Sequence, residues 1–410
     1  MTFTIIITLC GLLLVAYFFD VTSSVTRIPS VLLLLLLGWL VREVSRLMQI
    51  TVPDLSPLLP FLGTVGLVLI VLEGALELEF NHSKKKVILK SFFSALVPMV
   101  ILSILLAFAF QYAGHVSFKE ALNNAIPFCV ISSTVAISSA GNLGGGDREF
   151  VIYESSFSDI LGVLFFNFIT QNEIINLNTA GRFSFQMVLI TAISFVATLG
   201  LSYLLSKISH HIKFMPIILL AILIYAISEV YHLPALVFIL LFGLFLGNLD
   251  ELKQVRWIQL LRPRELDKEV KKFKELIGEL TFLIRALFFL LFGYLMKRSE
   301  ILNPETIIWA CGITVGIFLI RALFLKLMRM PLSALLFVAP RGLINILLFL
   351  ALVPGPTLPF INSSLVTQVI ILSVLVMMIG VIQKRGRKPD VPPTANEEIH
   401  WSTSPDSEAN

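Results

Sequence analysis

The chain has 410 residues, of which 57% are hydrophobic and only 14% are charged, and its mean hydropathy is +0.90. Average soluble domains carry about 25% charged residues, so this composition excludes an ordinary globular enzyme. It also excludes a disordered chain, because apolar runs extend over nearly its whole length. The formal net charge of +4 gives no indication of a nucleic-acid partner, and we expect none.

Thirteen apolar segments of this sequence are long enough to be membrane spans, since about 20 apolar residues cross a hydrocarbon core of about 30 Å. The predicted fold class is therefore an all-α polytopic membrane protein with about 13 transmembrane helices, in contact with the lipid bilayer. We predict the spans near residues 3–19, 28–45, 56–78, 87–113, 119–140, 149–171, 184–206, 214–231, 234–249, 279–297, 304–326, 331–353 and 361–383.

Two segments do not have the composition of a span. Residues 250–274 mix charges of both signs with apolar side chains, which predicts an amphipathic connector on the cytoplasmic membrane surface. Residues 384–410 are polar and contain several prolines, which predicts a disordered cytoplasmic tail. Basic residues concentrate on the side of the C-terminus, so we expect the N-terminus outside and the C-terminus in the cytoplasm, in the cell (inner) membrane.

Ionisable residues inside the predicted spans are few. Glu73 lies in the third span, Glu154 and Asp159 in the sixth, Arg321 in the eleventh and Arg341 in the twelfth. A charged side chain in mid-membrane costs several kcal/mol, so each of these residues is by default a hypothesis for a functional site.

Two predicted spans have interrupted helical character. The fifth span carries Ser132, Ser133 and Thr134 followed by a glycine-rich run, and the twelfth carries Pro340 and Gly342. Broken helices at corresponding positions of two inverted repeats point to the substrate site of a transporter. A repeat of spans one to six against eight to thirteen would bring both breaks to one crossing point, next to the sixth span.

On the sixth span, Ser155 and Asp159 are four residues apart and share one helix face. Glu154 lies on a different face of the same helix, where a buried carboxylate needs a cationic partner. Arg341 is the natural candidate, because a guanidinium in mid-membrane must itself be paired, and Arg321 is its rival. If Glu154 is paired, Asp159 is left as the one freely titrating carboxylate.

Four stretches carry a resemblance to the monovalent cation/proton antiporter superfamily, the sodium/proton exchangers and their potassium-exporting relatives. EGALELEF at 73–80 resembles the third-helix signature, and SSTVAI at 132–137 resembles the unwound helix of the potassium-efflux branch. ESSFSD at 154–159 is similar to the E-S-x-x-N-D of the electroneutral sodium/proton branch, and PRGLI at 340–344 is similar to that branch's helix-twelve arginine.

The resemblance implies two inverted repeats with crossed discontinuous helices and a homodimer. It also implies a core domain of about 87–171 and 304–383 and a scaffold domain of about 3–78 and 184–297. It implies that Asp159 binds the proton and Na⁺ or K⁺ alternately, with Ser155, Ser133 and Glu73 around the ion. Thr134, Ser132 and Ser158 complete the candidate site, and Glu154 with Arg341 forms a structural ion pair. No cofactor is expected beyond the transported ions.

Two departures from the family pattern bear on the ion. Ser158 stands where the electroneutral branch has Asn and the electrogenic branch a second Asp, so we expect one proton per cation and no net charge movement. Ser133 stands where sodium exchangers usually carry an Asp, which makes the site less negative. The resemblance favours Na⁺/H⁺ exchange, and the neutral Ser133 keeps K⁺/H⁺ exchange as the alternative.

Two other functional classes fit a polytopic chain less well. A cation channel on the same fold remains an alternative, with Asp159 attracting the cation rather than carrying it. An intramembrane hydrolase is disfavoured, because the sequence has no H-E-x-x-H motif and no Ser/His arrangement at membrane depth.

Overall fold

The computed structural model of the chain describes residues 2–26, 28–50, 53–78, 84–140, 143–172, 177–207, 214–231, 233, 235–249, 263–352, 358 and 360–383. Every regular element within these residues is helical. In chain order the helices are α1 Thr2–Thr26, α2 Ser30–Leu47, α3 Leu58–Glu77, α4 Lys85–Gly114, α5 Phe118–Ala125, α6 Ser133–Ser139, α7 Gly145–Gln171, α8 Leu177–Lys207, α9 Phe214–Val230, α10 Leu236–Gly247, α11 Pro263–Leu295, α12 Arg298–Ile301, α13 Pro304–Leu327, α14 Leu332–Leu335, α15 Leu343–Leu352 and α16 Ser363–Gln383.

Each predicted span coincides with a helix or with a pair of helices. Among the described residues, nine segments have the length and apolar composition of a membrane span, and α9, α10 and α15 are shorter apolar helices. The second predicted span corresponds to α2, which carries Arg42, Glu43 and Arg46 near its C-terminal end. The predicted fold class, an all-α polytopic membrane protein, is confirmed.

The interruptions predicted in spans five and twelve are both present. In the fifth span, α5 continues into a short 3₁₀ turn at Ile126–Phe128, and regular structure resumes only at Ser133 with α6. In the twelfth, α14 ends at Leu335 and α15 begins at Leu343. Pro340 lacks a backbone N–H and biases the residue before it away from the helical conformation, which accounts for the second gap.

Contacts between helices are concentrated within two groups. The first helix group consists of α1–α3 and α8–α11, and the second of α4–α7 and α12–α16. The groups meet mainly where α3 contacts α7 and α15 and where α1 contacts α6. The interrupted segments and Asp159 thus lie in the second group, against α3 of the first.

Small residues allow the closest helix approaches in the first group. A Cβ atom on Gly293 of α11 would lie 2.3 Å from the Leu35 carbonyl oxygen, and one on Gly38 of α2 would lie 2.2 Å from that of Leu290. Such small-residue contacts replace the hydrophobic driving force that lipid does not supply. They hold α2 and α11 together as one unit.

The structure differs from the prediction for the amphipathic segment 250–274. Residues 263–274 form the first turns of α11 and continue without a break into the tenth span. Their apolar stripe, including Leu266, Val270 and Phe273, is buried, and the Phe273 ring packs against the rings of Phe214 and Phe242. Residues 250–262 and the tail 384–410 lie outside the described residues.

Substitution of Gly293 by Ala tests the α2–α11 contact. The added methyl group meets backbone rather than a movable side chain, and such overpacking typically costs about 1–3 kcal/mol. We expect a lower melting temperature in detergent, followed by size-exclusion chromatography after heating. The matched control is Gly312→Ala in α13, where an added Cβ has no neighbour within 4 Å and stability should not fall. Equal melting temperatures for the two variants would contradict the proposed contact.

Candidate functional site

The two interrupted segments are joined at their breaks by a backbone hydrogen bond. The N–H of Ser132 donates to the carbonyl oxygen of Pro340, with an N···O distance of 2.9 Å. A Cβ on Gly342 would lie 2.6 Å from the Ser132 hydroxyl, so glycine is needed for this approach. The crossing predicted from the sequence is therefore present in the structure.

Side chains of the twelfth span bond to backbone carbonyls that the first break leaves free at residues 127–130. The Nε atom of Arg341 donates to the carbonyl of Phe128 at 2.7 Å, and Nδ2 of Asn345 donates to that of Val130 at 2.8 Å. Both side chains are about 2% exposed. Because a bare carbonyl is costly where water is absent, these two residues stabilise the break.

The predicted ion pair between Glu154 and Arg341 is wrong. Glu154 instead forms a two-pronged pair with Arg321 of α13, at Nη1–Oε1 and Nη2–Oε2 distances of 2.8 and 2.7 Å. The Ser94 hydroxyl of α4 donates to the same carboxylate. Arg341 lies in the unwound stretch, where free carbonyls use its donors. Arg321 donates only its Nε atom to a backbone carbonyl, that of Leu335 at 2.8 Å, so both of its Nη atoms are available to the acid.

Asp159 lies on α7 at the crossing and is about 3% exposed. Its Oδ2 atom accepts hydrogen bonds from the hydroxyl and from the backbone N–H of Ser133, the latter at 3.4 Å. Its other oxygen, Oδ1, is buried and has no hydrogen-bond partner among the described residues. The described residues thus hold Asp159 through one oxygen and provide no donor to the other.

An open cavity of about 130 Å³ is lined by Ser133, the residue that bonds Asp159, although Asp159 itself is not part of its lining. Its walls come from α3 and α11 of the first helix group and from α6 of the second. The polar side chains that line it are Glu73, Glu77, Ser133, Thr134, Ser138 and Arg285. Hydroxyl and carboxylate oxygens are the ligands of hard cations. The described residues contain no cluster of three or more His, Cys, Asp or Glu side chains that could hold a metal.

The remaining predicted site residues have other contacts. The Ser155 hydroxyl donates to the Val151 carbonyl of its own helix at 2.8 Å. The Ser158 hydroxyl accepts the N–H of Ile131 at 2.8 Å, which braces the break. The hydroxyls of Ser132 and Thr134 lie 2.8 Å apart and bond to each other. The structure therefore brings Asp159 and Ser133 into direct contact, with Glu73 and Thr134 on the walls of the adjoining cavity.

Arg285 and Glu77, which are not among the predicted site residues, line the same cavity. Both lie near the ends of predicted spans, where charge is ordinarily solvated. Arg285 also approaches Asp20 of α1, at an Nη2–Oδ1 distance of 3.3 Å. No signal in the sequence alone distinguishes them from other charges at span ends.

Comparison with known proteins identifies the family. The sequence profile described as "Sodium/hydrogen exchanger, transmembrane" matches residues 9–384. The chain belongs to this family. Two structures of the sodium proton antiporter MjNhaP1 from Methanocaldococcus jannaschii are similar to it, with TM-scores of 0.64 and 0.65 at 18% and 17% identity. Each match covers 93% of this chain, and 96% and 95% of the MjNhaP1 chain. No curated protein sequence matches the chain.

Family membership confirms several predictions. The exchanger is a multi-pass membrane protein and a cation/proton antiporter, and its family and structural neighbours are transporters rather than enzymes. The family resemblance inferred from the four sequence stretches is confirmed as well.

A double-mutant cycle tests which arginine neutralises Glu154. Removing one partner of a buried ion pair typically costs about 3–5 kcal/mol, because the other charge is left uncompensated. We expect Glu154→Gln and Arg321→Gln each to lower the melting temperature strongly in detergent, and the double variant to lose much less than their sum. The matched cycle with Arg341→Gln should be close to additive. Stronger coupling of Glu154 to Arg341 than to Arg321 would contradict the assignment.

Proposed function

We propose that this exchanger carries one monovalent cation, with Na⁺ favoured, against one H⁺ by alternating access around Asp159. The observation that supports this most strongly is the state of the Asp159 carboxylate. It is buried and bonded through Oδ2 to Ser133, while Oδ1 lacks a partner among the described residues.

Competition follows from the cost of burying a charge. A carboxylate without a compensating cation is unfavourable in a medium of low dielectric constant, so Asp159 holds either a proton or a metal ion. We assign the cavity lined by Ser133 as the side from which water and cations approach this carboxylate. A cation that reaches Oδ1 displaces the proton into the water of the cavity, and a returning proton displaces the cation.

The charge balance supports electroneutral exchange. Glu154, the other acid of the sequence motif on α7, is neutralised by Arg321. Ser158 offers a hydroxyl rather than a second carboxylate, and that hydroxyl bonds Ile131. Glu73 shares the cavity with the guanidinium of Arg285, and we assign it to attracting the cation on its way to Asp159. One carboxylate then exchanges one proton for one cation.

The packing of the helices supports a core that moves against a scaffold. The first helix group corresponds to the proposed scaffold and the second to the proposed core, and the cavity lies on their boundary. Its lining residue Glu77 ends α3, close in sequence to the basic residues Lys84 and Lys85. By the positive-inside rule, the membrane side at which α3 ends and the cavity opens is cytoplasmic, and the N-terminus is outside. We propose a cell (inner) membrane location and a homodimer formed through the scaffold.

Substitution of Asp159 by Asn tests the mechanism in proteoliposomes with an imposed pH gradient. An amide cannot exchange a proton for a cation, so cation-driven dissipation of the gradient should fall to the level of empty vesicles. Asp147→Asn, the same change in the first turn of α7, should keep near wild-type activity. Wild-type exchange by Asp159→Asn would contradict the mechanism, provided that both variants elute as folded protein.

Assays of the wild-type protein in the same vesicles distinguish electroneutral from electrogenic exchange, Na⁺ from K⁺ as the main ion, and an exchanger from a channel. Electroneutral exchange predicts equal initial rates when the membrane potential is clamped at zero or at a negative value. A lower half-saturating concentration for Na⁺ than for K⁺ supports sodium as the main ion. The opposite order supports K⁺, which is the second candidate because Ser133 is neutral. Cation flux without any opposing proton movement would instead indicate a channel.

A further inference from the structure

A second cavity, of about 710 Å³, lies at the other end of α11 from the proposed ion site. One wall is α2, with Leu36 and Trp39, and the other is α16, with Ile371 and Leu375. Gly278 of α11 is close to Glu73, whereas Met296 just beyond α11 lines the second cavity. At 1.5 Å per residue, the 18-residue separation of the two positions is about 27 Å, which places the two cavities toward opposite membrane surfaces. We call the second cavity the α2–α16 groove.

The walls of the α2–α16 groove are almost entirely apolar, and it opens outward. Leu36 is 51% exposed and Leu302 at its end is 67% exposed. The one charged residue in its lining is Arg298. This side chain is exposed and has no ion pair within the part of the chain that the structure describes. The neighbouring Lys297 is exposed as well.

The sequence around Arg298 is that of the boundary between a membrane span and the lipid headgroups. The apolar helix α11 ends at Leu295, Met296 follows, and the next two residues are Lys297 and Arg298. Trp39 lines the groove together with Arg298, and Arg42, three residues after Trp39, donates to the carbonyls of Leu295 and Met296. Tryptophan is enriched at the boundary between headgroups and acyl chains. The groove thus offers an apolar slot inside the hydrocarbon region and positive charge at its surface.

We propose that the α2–α16 groove binds one anionic phospholipid, with an acyl chain between α2 and α16 and the phosphate at Arg298. The complementary charges favour an anionic headgroup over a zwitterionic one, because the zwitterion brings a cation to the same positive site. Since α2 belongs to the first helix group and α16 to the second, the lipid lies between the two groups. Binding itself does not depend on the proposed exchange.

Fluorescence of Trp39 provides the test in reconstituted full-length protein. Of the four tryptophans, Trp257, Trp309 and Trp401 are replaced by Phe, and the protein is placed in vesicles containing phospholipids with brominated acyl chains, which quench nearby indoles. We expect brominated phosphatidylglycerol to reach half-maximal quenching at a severalfold lower mole fraction than brominated phosphatidylcholine. Arg298→Gln should abolish this preference.

The control variant is Arg46→Gln, which removes an exposed arginine from the same end of α2 and should leave the preference unchanged. Equal quenching by both lipids in the parent protein would overturn the proposal, as would a preference that survives Arg298→Gln. Absence of quenching by either lipid would also overturn it and would indicate that a second copy of the chain covers the groove. If the parent protein prefers phosphatidylglycerol but shows no cation/proton exchange, that result counts against the proposed function and not against the lipid site.

Discussion

Backbone groups freed by two interrupted helices need partners inside the membrane, where water cannot supply them. In this exchanger each break satisfies the other: the Ser132 N–H bonds the Pro340 carbonyl, and Arg341 and Asn345 bond carbonyls of residues 127–130. This exchange of hydrogen bonds fixes where α6 begins. It therefore fixes Ser133 against Asp159, and the proposed transport chemistry depends on that position.

Two buried acids on one helix have different environments. Glu154 accepts two charge-assisted hydrogen bonds from Arg321 and a third bond from Ser94, so its charge is matched and its position is fixed. Within the described part of the chain, Asp159 accepts hydrogen bonds only from the hydroxyl and N–H of Ser133. Burial without a matching cation is what makes a carboxylate responsive to protons and metal ions. The contrast supports the proposed roles, a structural one for Glu154 and ion exchange for Asp159.

The sequence predicts the features that depend on local composition. The length of the apolar segments predicts the spans, and Pro340 with the Ser132–Thr134 run predicts the breaks. The acidic side chain of Asp159 within a predicted span makes it the candidate ion-binding residue. The partner of Glu154 could not be derived, because Arg321 and Arg341 both lie within predicted spans and both donate to backbone carbonyls. Only the packed structure shows that the Nη atoms of Arg321 are the ones that reach Glu154. Helical periodicity also cannot reveal that Ser155 bonds its own helix, or that Arg285 lines the cavity.

The most direct test of the central claim is the number of protons released when the purified exchanger binds Na⁺. Calorimetric titrations in two buffers with different ionisation enthalpies give this number without any transport assay. At a pH where Asp159 is protonated, the account predicts about one proton released per cation bound in the wild type, and none in Asp159→Asn. Sodium binding without proton release, or equal release by the variant, would contradict it.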